Sequence, residues 1–332
     1  MLNTQTRLLR SSTWLFSALL VAFGSTSAAA QHGRRDYDRD YRSSVDTTFS
    51  FDRRGQVSLT LGAGDIVVTG WSRDQIRIHA TSDNGGVRLD ASSSRVTVQL
   101  SNGDGRSGDS RFEVSVPTGV RIVARAQSGD ISISGTQGDV DARSQSGDIK
   151  VEDVANRLDI GTLSGDIEAH TVSGDVQIKS VSGDIRLSDF KGDFEGETVS
   201  GSIELHNAIG RFIRSHTTSG DLTYEGSIDP EGRYELSAHS GDIHLTIPSG
   251  ASAQLSVSTW SGTLDSDFPI TLRPGEHGIG TGQAKRFTFD IGGGAARISA
   301  ETFSGDITIS SRGSSRRRRL RRTTRGSPCR AR

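Results

Sequence analysis

Residues 127–222 read, nine at a time, QSGDISISG TQGDVDARS QSGDIKVED VANRLDIGT LSGDIEAHT VSGDVQIKS VSGDIRLSD FKGDFEGET VSGSIELHN AIGRFIRSH TTSGDL. One register holds Gly129, Gly138, Gly147, Gly165, Gly174, Gly183, Gly192, Gly201 and Gly210. Asn156 fills the empty slot, and Asn is the residue after Gly that best tolerates positive φ. A fixed period outranks any local reading of secondary structure.

Within each unit the residue after the turn acid is apolar, as in Ile131, Val140, Ile149, Leu158, Ile167 and Val176. A second inward series follows two residues on, as in Ile133, Ala142, Val151 and Ile160, with polar residues between. This is the alternation of a short strand with one buried face. A third apolar series, Val154, Leu163, Val172, Val181, Phe190 and Val199, precedes the turn and is expected at an inward corner. The turn itself runs x-Ser-Gly-Asp, with Ser and Asp bonding to nearby backbone.

One such unit cannot bury its own apolar face. Two wrapped into a coil, with coils stacked about 4.8 Å apart, can. The expected fold is all-β: a parallel β-solenoid of nine-residue strand–turn units, two units per coil. Units of one parity then share a face. On one face Ser132, Lys150, Glu168, Arg186 and Glu204 alternate in charge, as a cross-strand ladder prefers. The other face, Asp141, Asp159, Gln177 and Glu195, shows no such support. Asp130, Asp148, Asp166 and Asp184 stack on one edge. On the other edge Arg157 and Arg211 are expected to relieve repulsion among Asp139, Asp175 and Asp193. A meander of antiparallel strands is the rival.

The remaining segments frame this array. Residues 1–30 fit a cleaved secretion signal: Arg7 and Arg10, an apolar run from Trp14 to Phe23, then Ala28–Ala30. An uncleaved anchor is the alternative. No Cys stands near the cleavage position, so no lipid anchor is indicated. Residues 31–44 are a polar lead-in. The β-solenoid domain is expected over 45–310, with an irregular start at 45–125, the regular array at 126–222 and longer coils at 223–310. Ser-Gly pairs at Gly201, Gly220, Gly241 and Gly262 fall 19, 21 and 21 residues apart, and strands near Ser310 close the domain. Residues 311–332 form an Arg-rich tail expected to be disordered on its own.

The chain carries 39 basic and 40 acidic residues, a net charge of −1. Residues 312–332 hold ten of the arginines and no acid, so residues 1–311 carry −11. The neutral total hides an acidic body with a basic tail. Such a tail is either merely solvated or drawn to an anionic surface such as lipopolysaccharide or lipid; specific nucleic-acid binding is not expected of an exported chain. The single cysteine, Cys329, lies in this tail and excludes an intrachain disulfide.

No catalytic, cofactor or metal site is assigned. Asp141 and Asp159 stack closely enough for a carboxylate pair, but a solvated face is the favoured reading. His170 and His206 share a face two coils apart, about 9.6 Å, too far for one metal. His239 and His244 have no evident third ligand. One Gly and one carboxylate per turn make a poor calcium site compared with the calcium nonapeptide.

The repeated Ser-Gly-Asp-Ile units, the opening GDIVVTGWSRDQIRI and the closing TFSGDITIS together resemble the bacterial putative-adhesin family of β-strand-repeat proteins, a domain of unknown function. The resemblance covers roughly residues 45–310. It implies a solenoid-like β domain, often exported or membrane-attached, and brings no catalytic residues. The chain departs from some relatives in lacking a membrane segment after the signal and in its Arg-rich tail. The expected function is that of an exported, non-enzymatic structural or binding protein of the cell envelope. Its partners would be envelope carbohydrate or protein on the solenoid faces and an anionic surface at the tail. It would lie in the periplasm, at the outer surface or outside the cell. A polysaccharide-acting β-helix enzyme and a calcium-stabilised roll are the alternatives. The enzyme needs a groove with clustered carboxylates, roofed by the loops at 101–110 or 269–284. The calcium roll requires that chelation or added calcium move the melting temperature by several degrees, and an unchanged melt in differential scanning calorimetry removes it.

Overall fold

The computed structural model describes residues 44–83, 86–100, 110–269 and 285–312. The signal, the lead-in up to residue 43, the tail beyond Arg312 with Cys329, and nearly all of the loops at 101–110 and 269–284 lie outside the described residues. Among the described residues the chain is all-β, a solenoid-like strand repeat of two 13-stranded sheets, A and B. The chain alternates between the sheets through the repeat, so one strand of each makes a layer. No helix of the described residues is long and apolar enough to cross a membrane.

Strand pairing is periodic and long-range. In sheet A, Val140–Ser146 pairs in parallel with Leu158–Ser164, Val140 opposite Leu158. In sheet B, Ile149–Ala155 pairs in parallel with Ile167–Ser173, Ile149 opposite Ile167. This excludes a meander for the central strands. Antiparallel pairs occur only towards the two ends. One end has Ser44–Ser50 on Gln75–Ser82, Gln75–Ser82 on Ser110–Pro117, and Val87–Ala91 on Arg95–Leu100. The other has Lys285–Ile291 on Ala253–Ser261. A wholly parallel stack is therefore corrected at its ends, where returning strands cover ladder edges that would otherwise lie bare.

The core is a thin sandwich of columns. Ile131, Ile149, Ile167, Ile185 and Ile203 of sheet B are at most 1% exposed and face Val140, Leu158, Val176 and Phe194 of sheet A. Gly196, inside the second inward series, makes room for a ring: a Cβ there would lie 2.4 Å from Cζ of Phe194. That ring meets Phe190 edge-on at 6.1 Å.

The two corners are not alike. In sheet B, Gly135, Asp153, Thr171, Asp189 and Asn207 form a column of left-handed residues, with φ of 67, 53, 54, 55 and 53°. Each consumes one position without switching face, so the next apolar residue turns inward. Val154, Val172 and Phe190 are accordingly buried. Sheet A lacks this device. There Ser144, Thr162, Ser180 and Thr198 occupy the inner corner, and Leu163, Val181 and Val199 stand outside at 53, 43 and 47% exposure. The expected inward corner thus holds for one parity and is overturned for the other.

The inner hydroxyls of Thr162 and Ser180 have no hydrogen-bond partner among the described residues, but three inner hydroxyls further along sheet A have a task. Thr217 Oγ1 donates to the Gly201 carbonyl at 3.0 Å, Thr302 to Gly241 at 3.0 Å and Thr259 to Gly305 at 3.1 Å. A turn glycine at positive φ directs its carbonyl inward, and a buried carbonyl needs a donor. The glycine is itself required. At Gly147, φ is 141° and a Cβ would sit 2.2 Å from the Gly129 carbonyl oxygen.

Layers do not stack in chain order at either end. In sheet A, Ala296–Ser304 lies between Arg233–Ser240 and Ala253–Ser261. In sheet B, Ile307–Arg312 lies between Ile243–Pro248 and Leu264–Ser266. The last layer of the chain is thus inserted beneath the one before it. Gly262 therefore stacks on Gly305 and not on Gly241, against the suggestion of its 21-residue spacing. The first layer is inserted likewise. Gln56–Ala63 lies between Arg95–Leu100 and Arg121–Ser128, and Asp65–Trp71 between Ser110–Pro117 and Ile131–Thr136. In the lengthened layer after Gly220, buried Tyr224 and Tyr234 meet edge-on at 5.6 Å, and their hydroxyls donate to the Ser227 and Gly210 carbonyls, both at 2.7 Å.

Two substitutions test the corners. Gly147→Ala is expected to lower stability by at least about 2 kcal/mol, because it combines a disfavoured φ with a backbone clash. Thr171→Asn is expected to raise it by about 1 kcal/mol, since Asn accepts the left-handed conformation that a β-branched residue resists. Urea midpoints of the two variants check both signs.

Candidate functional site

The Ser-Gly-Asp turns align on one edge, and a ladder runs down it. The N–H of Asp148 donates to Oδ1 of Asp130 at 2.9 Å, that of Asp166 to Asp148 at 2.8 Å, and that of Asp184 to Asp166 at 2.9 Å. Ser202 donates to Asp184 at 2.9 Å, and Asp221 to the Ser202 hydroxyl at 3.3 Å. Asp242 then donates to Asp221, and Asp306 to Asp242, both at 2.8 Å. At the last rung the Thr263 N–H and hydroxyl both donate to Asp306, at 2.7 and 3.0 Å. The turn acid therefore caps the neighbouring layer, and not its own turn as local chemistry suggests. Those two donors from Thr263 hold the Asp306 carboxyl below the usual carboxylate range.

Beside this ladder stands an exposed stripe. From Leu163 onward, the residue before the Ser-Gly that ends each sheet A strand points outward: Leu163, Val181, Val199, Thr218, His239, Phe303 and Trp260 in stacking order. Phe303 and Trp260 are 50 and 48% exposed. His239 stacks on Phe303 at 5.1 Å and 9°, and Trp260 on the other face of the same ring at 5.8 Å and 11°. Six layer steps of about 4.8 Å make a strip of about 29 Å. Apolar side chains recur along it at the spacing of the layers, interrupted by Thr218 and His239. Exposed apolar surface of this kind marks interaction sites. The signal is present in the sequence as Leu163, Val181 and Val199, but hydrophobicity alone puts these three on the wrong side of the sheet.

The charged faces carry more cross-layer pairing than expected. Lys150 pairs with Glu168 at 3.7 Å and Arg186 with Glu204 at 3.9 Å, in the anticipated column. Burial works against the Arg186 charge, yet Asp184, Glu204 and Asp166 outweigh it and raise its pKa. On the other face Asp141 and Asp159 do sit opposite one another. Arg143 lies between them, at 3.8 Å from Asp141 and 2.7 Å from Asp159, and Arg125 lies 3.7 Å from Asp141. That face therefore has the support it was expected to lack, supplied by a second outward column that begins with Arg125 and Arg143. Further along, burial opposes ionisation of Glu235, but hydrogen bonds from Arg233 and Arg214 prevail and lower its pKa. Arg211 pairs with Glu231 at 3.0 Å, so its ion pair is not with the turn acids it was expected to relieve. Arg157 lines a shallow recess with Asp175 and Asp193.

The histidines do not converge. Ser188 separates His170 from His206 in sheet B. His206 lies 3.4 Å from both Glu204 and Glu225. His239 belongs to the stripe, whereas His244 pairs across sheet B with Thr223 and Thr308. Among the described residues no group of three or more His, Cys, Asp or Glu is placed to hold a metal.

A family model described as Toastrack DUF4097 matches residues 106–208 and again 195–310. Three solved structures are distantly similar. The first is a putative cell adhesion protein from Clostridium sporogenes, at 9% identity over 81% of this chain and 100% of that one, TM-score 0.21. The second is a putative adhesin from Parabacteroides merdae, at 10% identity over 80% and 96%, TM-score 0.31. The third is a putative adhesin from Bacteroides fragilis, at 10% identity over 80% and 96%, TM-score 0.30. No curated protein matches the chain.

The lowered pKa of Asp306 fixes the sign of its pH dependence. Its contribution is complete above the unfolded carboxyl value of about 4 and is lost as pH falls through the folded value. Asp306→Ala is expected to lower the urea midpoint at pH 7 and to narrow the difference between pH 7 and pH 3. Asp306→Asn, which keeps an acceptor oxygen, should retain more of the midpoint than Asp306→Ala.

Proposed function

The chain belongs to the Toastrack DUF4097 family, and on that premise we propose that it is an exported, non-enzymatic binding scaffold of the cell envelope. The single observation carrying this reading is the exposed stripe from Leu163 to Trp260, set beside the aspartate ladder. Its partner is an envelope carbohydrate or protein that lies along the edge and meets one stripe side chain at each successive layer. The export reading rests on the signal-like residues 1–30, and attachment to an anionic surface on the arginines beyond residue 312. The domain is taken as 45–310. Its repeat is taken as two nine-residue units per coil, which the 18-residue offset of Asp148 on Asp130 supports.

Several features favour a binding role over catalysis. The carboxylates of the ladder already accept backbone N–H groups, and Asp141 and Asp159 are bridged by Arg143. Asp46, Glu235 and Asp306 are shifted downward, the wrong direction for a general acid.

Fractionation of the native host tests the reading with three chains: the full chain, one ending at Arg312, and a stripe variant with Val199→Lys and Phe303→Ser. Recovery of the full chain with the envelope, and of the folded stripe variant in the soluble fraction, is the expected result. A salt-sensitive share of the full chain that is missing from the shortened chain separates electrostatic attachment through the tail from stripe binding. Soluble recovery of all three overturns the envelope role.

A further inference from the structure

Ile307–Arg312, the final strand of the described residues, ends on an arginine that is already engaged. Arg312 Nη2 donates to Oδ1 of Asn207 at 2.6 Å and lies 3.4 Å from Oε1 of Glu225. Asn207 in turn donates through Nδ2 to Oδ1 of Asp189 at 3.1 Å. Asn207 and Asp189 belong to the left-handed column, with Thr171 and Asp153 beyond them. The column borders a notch lined by Thr136, Asp153, Thr171, Asp189 and Lys191. Glu152 is the neighbour of Asp153 on the same edge. Among the described residues Asp153 and Asp189 have no ion pair, and Lys191 is the one cation lining the notch. Thr136 is 1% exposed, and its Oγ1 has no hydrogen-bond partner among the described residues.

We propose that the arginine cluster Arg316–Arg322 of this chain seats in the notch, extending down the column the contact that Arg312 begins. Reach permits it. From Asn207 to Asp153 is three layers, about 14 Å. The twenty residues after Arg312 span up to about 66 Å when extended. Position favours this edge over the Ser-Gly-Asp edge, because Arg312 already contacts Asn207 at the head of the column. In the notch an arginine meets carboxylates at Asp189 and Asp153 and an acceptor at Thr136. Tethering raises its local concentration well above that of a free ligand. A denser anionic surface competes for the same arginines, so seating and attachment are mutually exclusive. The seating itself does not depend on the envelope reading.

Limited trypsin digestion of the full chain tests it, since the cluster offers successive cleavage sites. A free peptide of residues 313–332 gives the unprotected rate in each buffer. In about 20 mM salt, where screening is weak, the cluster in the full chain is expected to be cut at least threefold more slowly than in the peptide. In about 0.5 M salt the rates should converge. The double variant Asp153→Asn, Asp189→Asn keeps residues that accept left-handed φ. It should lose the protection, whereas Glu168→Gln with Glu195→Gln, equal in charge change but away from the notch, should keep it. Equal rates for full chain and peptide at low salt overturn the proposal. So does equal loss of protection in both double variants, which would mean general attraction to an acidic body.

Discussion

A backbone N–H donated to the aspartate of the layer before it is the contact on which this architecture rests. Main-chain ladders hold strand to strand and continue through the turn glycines, whose N–H groups donate to serine carbonyls of the next layer, but the N–H of the turn aspartate has no main-chain acceptor and needs one. The aspartate supplies one without leaving its own turn. It is donor through its backbone and acceptor through its side chain, so one layer passes the arrangement to the next, with the Ser202 hydroxyl standing in at one rung. Its termination is chemical. Thr263 gives two hydrogen bonds to Asp306 and offers no carboxylate onward. Stability in such a stack is a sum over neighbours, which leaves the outermost layers with half the contacts of the rest.

The same local sequence makes two different corners because one residue takes a left-handed turn. Where Asp153, Thr171, Asp189 and Asn207 adopt φ near 54°, the apolar residue after each is buried. Where Ser144, Thr162, Ser180 and Thr198 stay extended, they turn inward and the apolar residue is pushed into solvent. One corner is thus a closed hydrophobic seam and the other an exposed strip above a row of buried hydroxyls. The difference between interior and exposed surface comes down to the sign of a single backbone angle.

The glycine register, the role of Asn156 at φ 91°, the alternation of buried residues and the pairing of Lys150, Glu168, Arg186 and Glu204 were legible in the sequence. They arise from local chemistry repeated at a fixed interval. The corner sense was written in the same residues but in a weaker script: Asp and Asn at 153, 189 and 207 against Ser and Thr at 144, 162, 180 and 198. Hydrophobicity alone does not separate the two, and Thr171 blurs the pattern. The aspartate's true acceptor role was hidden because spacing cannot say whether a side chain bonds within its own turn or across to the next. The order of the terminal layers was out of reach. Any layer with two flat apolar-faced strands accepts any other, and chain proximity is the only ordering that periodicity supplies. The exchange of Asp for Thr at position 263 was the one local mark of an outer layer.

The inserted ends have a consequence for how the chain is made. A polypeptide emerging from its first residue lays down Gln56–Trp71 before either layer that will flank it exists. It completes Ala253–Ser266 before the layer that must separate it from Arg233–Pro248. Stepwise deposition of layers in order of synthesis therefore gives the wrong stack at both ends. The outermost layers must stay apart, or be displaced, until the final strands arrive. Once those strands are in place, the end that bears Ala253–Ser266 is closed by a segment held in the stack through Ala296–Ser304 and Ile307–Arg312, which follow it in the chain.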